Sequence, residues 1–192
     1  MSAAVQPNMR NPDIGVEPFR HIIKKYLRRA AFKNKRILDI GPGQCDFLDL
    51  AKQAGADRTY GCDFDPAVGA LGELRGHDMT VANLKQDWPY KGTVFDGIFC
   101  RGSINCCWFS SEERLGVFLD DVAASLSPKG WMWIAPWNNP VPGNEAFLEV
   151  VERVRKEWAE KNAIKIEVPP LRKRAKYGIE YSIPRIEIWR RQ

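Results

Sequence analysis

Two glycines and two aspartates carry the first chemistry legible in this chain. In ILDIGPGQCDFLDLA (37–51), Asp39, Gly41 and Gly43 stand where a short apolar run passes into a helical pattern. Glycines so placed let a backbone come close to a bound group. Asp63 follows 22 residues after Gly41, at the end of a second apolar run, with Phe64 beside it. A third stretch, CRGSINCCWF (100–109), brings together Arg101, Ser103, Asn105 and Trp108. A cation, polar hydrogen-bonding groups and an aromatic suit a polar or sugar-like ligand. In the plainer reading of that stretch Trp108 and Phe109 are core, and Arg101 pairs with a local acid.

The acids restrict what the glycine turn can hold. A dinucleotide site wants G-x-G-x-x-G, and the third position here is Asp46. A carboxylate at the start of a helix would repel the pyrophosphate that such a helix end should attract. A phosphate loop would need GK[ST], which does not follow. A ligand with a ribose and a cationic end tolerates both acids. Asp39 can face an amine or sulfonium through the turn, Asp63 can accept both ribose hydroxyls, and Phe64 can lie against an adenine. Asp63 as a helix cap is the alternative, but Asp65 before Pro66 fits that job better.

These residues need elements to position them, and the periodicity supplies an alternation. Strands are expected at 36–40, 58–64, 79–84, 95–102 and 130–137. Helices are expected at 45–54, 66–74, Glu112 to Leu126 and 144–162, with an amphipathic helix over 16–33. The tail alternates apolar with polar at 164–168 and 181–189, which pair best as an antiparallel hairpin. Alternating strands and helices imply a parallel sheet covered on both faces, with ligands at the carboxyl ends of its strands.

At this point the chain resembles the class I S-adenosylmethionine-dependent methyltransferases, over about residues 35–137. LDIGPGQC is similar to their first motif, GCDFDP to their acidic loop, FDGIFCRGS to the strand of the fourth motif, and LSPKGWMWI to the turn and fifth strand. The family often has a third glycine where Cys45 stands and an aspartate where Asn83 stands. The resemblance implies an α/β, doubly wound, mostly parallel seven-stranded sheet with an antiparallel C-terminal strand, and S-adenosyl-L-methionine as cofactor. It implies cofactor contacts from Asp39, Gly41, Gly43, Asp63, Phe64, Asn83, Leu84 and Cys100, with Asn83 able to hydrogen-bond an adenine amino group. The acceptor side then falls to Tyr26, Arg101, Ser103, Asn105 and Trp108.

Methyl transfer from a sulfonium is an in-line displacement in which positioning supplies most of the catalysis. An acceptor that is already anionic needs no base. Arg101, Asn105 and His21 are the candidates for a catalytic part, whereas His77 precedes the third strand on the side away from the site. The expected acceptor is a small molecule or glycan, methylated at oxygen, and Arg101 suits one that is anionic. The alternatives are a nucleic-acid methyltransferase, working through RRAAFKNKR and LRKRAKYG, or a non-catalytic binding protein of the same fold. The (D/N/S)-P-P-(Y/F/W) signature of amino methyltransferases acting on bases is absent after the fourth strand, and PWNNP (136–140) lies after the fifth.

Composition sets the remaining bounds. A chain of 192 residues, 44% apolar and 28% charged, is one ordinary globular domain, expected here over 16–192 behind a flexible arm at 1–15. The segment 16–34 is expected to lie over the site. Five cysteines without CxxC spacing, and only two histidines, speak against a zinc site or a disulfide framework. No apolar run is long enough to span a membrane, and the first 20 residues lack the apolar core of a secretory signal, so the cytoplasm is the expected compartment. Charge is uneven: residues 20–36 hold eight Lys or Arg and no acid, and residues 37–150 hold eight basic against sixteen acidic. Such a basic end can attract an anionic partner or simply be a solvated face.

Overall fold

The structure is a computed structural model that describes residues 16–109, 111–139, 141–169 and 186–192, with the backbone of 175–176 and 179–180. The arm expected at 1–15 and part of the basic stretch LRKRAKYG lie outside the described residues, as do residues 181–185 of the last expected strand.

In chain order the elements are α1 (Glu17–Ile22), β1 (Arg36–Ile40), α2 (Asp46–Gln53), β2 (Arg58–Asp63), α3 (Pro66–Leu74), β3 (Asp78–Val81) and β4 (Phe95–Arg101). They continue with α4 (Glu112–Ser125), β5 (Leu126–Ala135), α5 (Phe147–Lys161), β6 (Ile164–Glu167), β7 (Ala175–Lys176), β8 (Ile179–Glu180) and β9 (Glu187–Arg191). One seven-stranded sheet runs β3-β2-β1-β4-β5-β9-β6, and β7 and β8 form a separate two-stranded ribbon. Strands β1 to β5 pair in parallel, while β9 lies antiparallel to both β5 and β6. The expected seven-stranded, mostly parallel sheet with an antiparallel C-terminal strand is therefore the observed fold.

The sequence explains the order. Ile37, Leu38 and Ile40 are all buried, as a central parallel strand covered on both faces requires. On one face, α1 and α2 bring Phe19, Ile22, Phe47 and Leu48 against Ile37, Phe99 and Trp133. Phe99 stacks at 3.7 Å on Phe47 and at 4.7 Å on Trp133. On the other face, α4 and α5 close over Leu38, Ile98, Met132 and Trp189. Asp65 caps α3 by accepting the Ala67 amide at 2.8 Å, with Pro66 at the first helical position.

Four expectations change. The helix expected over 16–33 is α-helical only to Ile22, continues as a π turn (Ile23–Leu27), and breaks at Arg28, whose φ is +63°. The third strand stops at Val81 rather than Leu84. There the Asn83 side chain accepts the Lys85 amide at 3.1 Å and turns the chain, so Asn83 and Leu84 sit on a loop. The fifth strand begins at Leu126, four residues before the expected start, because Leu126 pairs with Phe95 ahead of a bulge. The tail hairpin does form, between β6 and β9, but its second strand runs Glu187–Arg191.

Candidate active site at the carboxyl ends of the strands

The glycine turn after β1 is built from two glycines with different needs. Gly41 has φ +70°, donates its amide to the Cys62 carbonyl at 2.8 Å, and accepts the Ser103 hydroxyl at 3.3 Å. A Cβ on Gly41 would overlap Ser103 Oγ, so the close approach at this position is made by the protein itself. The expected need for a bare backbone at Gly41 thus has a source within the fold, in Ser103. Gly43 has φ +53°, and a Cβ there would meet no atom within 4 Å. Open space over a left-handed backbone is what a bound group would fill. Cys45, in the family's third glycine position, keeps the left-handed geometry (φ +60°) with a buried side chain.

Beneath this turn lies a carboxylate with little to compensate it. Asp39 is 3% exposed, and no hydrogen bond to its side chain occurs among the described residues. Burial, and then the nearby Asp63, push its carboxyl well above the usual range. Asp63 ends β2 half-buried and accepts the Asp65 amide at 3.0 Å. Burial raises its pKa too, against the Asp65 and Phe64 amides that hold it down. Phe64 beside it is 74% exposed, a large ring facing solvent at the strand end. Asn83 is exposed on the loop after β3, Leu84 is buried next to it, and Cys100 is fully buried at the end of β4 opposite Ile40. Burial raises the Cys100 thiol to about 12, so it acts as a small apolar group.

The loop 102–109 leaves β4 against this turn. Ser103 reaches Gly41, Gly102 donates to the Ala135 carbonyl at 2.8 Å, and Cys106 donates to the Trp137 carbonyl at 2.8 Å. Arg101 is half-buried, its guanidinium 5.4 Å from the centre of the Phe19 ring, so α1 does reach this mouth. Trp108 is 41% exposed, with Lys85 Nζ 4.9 Å from its ring centre, and so is not core, whereas Phe109 is. Asn105 departs from its expected role. Its side chain accepts the Cys107 amide at 3.1 Å and donates to the Asn139 carbonyl at 2.8 Å, so both ends of the amide shape the loop. Tyr26 is half-buried on the π turn under Lys25 and edge-on to His21, which places the two rings together. His77 is buried at the opposite edge of the sheet, between Thr59 Oγ1 at 2.8 Å and Asp49 at 3.1 Å, and burial lowers its pKa.

Sequence reasoning missed a second polar cluster at the same edge, formed by Glu152 and Arg155 of α5 with Glu187 of β9. Its one sequence signal is an acid inside the apolar run IEIW (186–189). A larger recess, of about 430 Å³, lies at the other edge by Arg36, Arg58 and Asp78, where β1 to β3 begin. Ligands in such sheets sit at the carboxyl ends, so that recess is not the active site.

The turn fits a ligand with a cationic end and a ribose: Gly43 leaves space, Asp39 is buried with no donor to its side chain among the described residues, and Phe64 offers an open ring. Comparison with known proteins agrees. No curated protein matches the sequence. Among solved structures, magnesium protoporphyrin IX methyltransferase from Synechocystis, with bound S-adenosylmethionine, aligns with a TM-score of 0.61 at 14% identity, over 99% of this chain and 87% of that one. An amino pentose methyltransferase from Micromonospora echinaspora aligns at 0.58 with 12% identity, over 94% and 89%. A ribosomal protein L11 methylase from Lactobacillus delbrueckii aligns at 0.53 with 14% identity, over 90% and 74%. At these identities the likeness shows the fold. The family described as "Methyltransferase domain" matches residues 17–174, most of the chain. The chain belongs to that methyltransferase family and is a class I S-adenosylmethionine-dependent enzyme.

Proposed function

We propose that the enzyme methylates oxygen on a small polar or sugar-like acceptor that carries a negative charge. The observation that carries this reading is the loop after β4, where Arg101, Ser103 and Trp108 follow one another beside the glycine turn, joined to it by the Ser103–Gly41 bond. Structural neighbours act on a porphyrin and an amino pentose, which agrees with a small-molecule acceptor but does not choose one.

Bound at the turn, S-adenosylmethionine supplies a methyl group on a sulfonium. The chain's own residues do the rest. Gly43 leaves its backbone open to the cofactor, Asp39 faces the cationic end, Asp63 takes the ribose hydroxyls, and Phe64 with Asn83 and Leu84 frames the adenine. Cys100 packs beneath. Arg101 holds the acceptor's anionic group, which also favours an acceptor oxygen that has lost its proton, and Trp108 walls the mouth. Asn105 keeps the loop in shape. The N-terminal segment 16–34, through Phe19 under Arg101, covers the mouth, with His21 and Tyr26 at its outer side. We place the enzyme in the cytoplasm, since five free cysteines suit a reducing compartment.

Arg101→Ala is expected to lose turnover while S-adenosylmethionine affinity stays within about twofold, because contacts made in the transition state need not touch cofactor binding. Turnover is measured with labelled cofactor on a panel of hydroxylated acids. Full activity of the variant on the true acceptor would move the acceptor site elsewhere.

Acid titration gives a second test. Asp39 and Asp63 must be ionised to face the cofactor, and both have raised pKa values. Cofactor affinity is therefore expected to fall with pH, starting above the ordinary carboxylate value of about 3.9. The sign for stability is opposite. A folded-state pKa above the unfolded one means the free protein binds the proton more tightly, so these two groups add stability as pH falls and lose it as pH rises. Calorimetric titration across the acid range checks this, and pH-independent affinity would remove both acids from the site.

A nucleic-acid acceptor is the second reading, favoured by the exposed Lys24, Arg28, Arg29 and Lys33. Steep salt dependence of binding to generic RNA would support it.

A further inference from the structure

The loops that follow β3 and β4 at the carboxyl edge meet on an exposed indole. Trp108 is 41% exposed, and Lys85 Nζ lies 4.9 Å from its ring centre. Arg114, on the first turn of α4, donates to the Gln86 carbonyl at 3.3 Å, which ties a second cation to the Lys85 loop. The indole is joined to the glycine turn through its own loop, where Ser103 donates to the Gly41 carbonyl. Lys85 stands two residues after Asn83, whose side chain accepts the Lys85 amide.

The surroundings make these two cations unusual. Residues 37–150 hold eight basic against sixteen acidic residues, and Arg58, Arg75 and Lys91 each ion-pair with an acid. Lys85 and Arg114 have no carboxylate partner among the described residues. The acids beside them in sequence are turned elsewhere: Asp87 takes Lys91 at 2.9 Å, Glu112 takes Arg153 at 2.6 Å, and the exposed Glu113 pairs with neither cation. An ammonium over an exposed ring gains little and keeps its donors in water, so Lys85 can turn to a carboxylate at small cost. An indole face with such cations beside it recognises a flat ring that bears an anion, the ring stacking and the carboxylate pairing. A polyanion fits less well, because the acidic surroundings repel its further charges.

We propose that Trp108, Lys85 and Arg114 form the outer half of the acceptor site and bind an aromatic ring carrying a carboxylate, with the methylated oxygen turned inward to Arg101. The proposal rests on the reading of the acceptor as a small anion and narrows it to an aromatic acid. Lys85 and Arg114 set specificity here and touch neither the cofactor nor the reacting oxygen.

The probes are benzoate and naphthoate, offered to the full chain with S-adenosylhomocysteine present. Binding is followed by NMR at the indole N–H of Trp108, which Trp108→Phe identifies by its loss. Both acids are expected to move that resonance saturably, and the controls benzamide and cyclohexanecarboxylate much less. Lys85→Gln should weaken benzoate several-fold and Lys85→Arg should restore it, while calorimetric affinity for S-adenosylhomocysteine stays unchanged in both. No shift at Trp108, equal binding of either control, or benzoate affinity indifferent to Lys85→Gln would each overturn the proposal. A matching loss of S-adenosylhomocysteine affinity in Lys85→Gln would also overturn it, by giving Lys85 to the cofactor. A generic RNA oligonucleotide that moves Trp108 where the aromatic acids do not, with steep salt dependence, would overturn it in favour of nucleic acid. Full turnover in Arg101→Ala would strike the reading of Arg101 alone, and a Lys85-dependent benzoate shift would still uphold the outer site.

Discussion

Asp63→Ala is expected to lower S-adenosylmethionine affinity at least tenfold while the chain stays folded. The carboxylate ends β2 at the carboxyl edge, beside the exposed Phe64 ring, and one of its oxygens is engaged by the Asp65 amide. On the proposed reading its remaining accepting capacity goes to the ribose hydroxyls. Losing a charged hydrogen bond costs about 1.4 kcal/mol or more, which is the tenfold. The variant also removes a half-buried negative charge whose pKa is raised, so its thermal stability should not fall by much. Titration calorimetry with a parallel melt separates the two effects. Unchanged affinity in a folded variant would take Asp63 out of the site.

Gly43→Val is expected to abolish cofactor binding, and Gly41→Ala to damage the fold instead. At Gly43 a Cβ meets no protein atom within 4 Å, so the main cost of the variant to the fold is the positive φ, on the order of 1–2 kcal/mol for an ordinary residue and more for a β-branched one. On the proposed reading the space it fills is the cofactor's. At Gly41 the same strain is joined by overlap with Ser103. Circular dichroism should stay near native for Gly43→Val, with binding lost, and the melting temperature should drop most for Gly41→Ala. Normal binding by Gly43→Val would mean that the turn is not the cofactor cradle.

The central elements were legible because local and global signals agree there. RILDI reads as a buried strand and is one, Asp65 before Pro66 reads as a cap and is one, and the glycine turn falls where the alternation puts it. The N-terminal segment was not legible in detail. Its apolar stripe continues past Ile22, and no Gly or Pro announces the break at Arg28. SPKG (127–130) was read as a turn before β5. It is a turn locally, since Lys129 has φ +66°, yet the strand runs through it as a bulge. Side-chain assignments failed where a residue's partner is distant. Asn105 looked available for a ligand, and only the fold reveals the Asn139 carbonyl it serves. Arg155 and Glu187 stand 32 positions apart and meet only once β9 lies between β5 and β6.

The most direct test of the account is to titrate the isotope-labelled chain with S-adenosylhomocysteine and follow its backbone amides by NMR. The shifts are expected to concentrate at Gly41 to Asp46, at Asp63 and Phe64, and at Asn83 to Lys85, with the amide of Gly43 among the largest. Shifts gathered instead at Arg36, Arg58 and Asp78, on the opposite edge of the sheet, or no shifts at all, would contradict it.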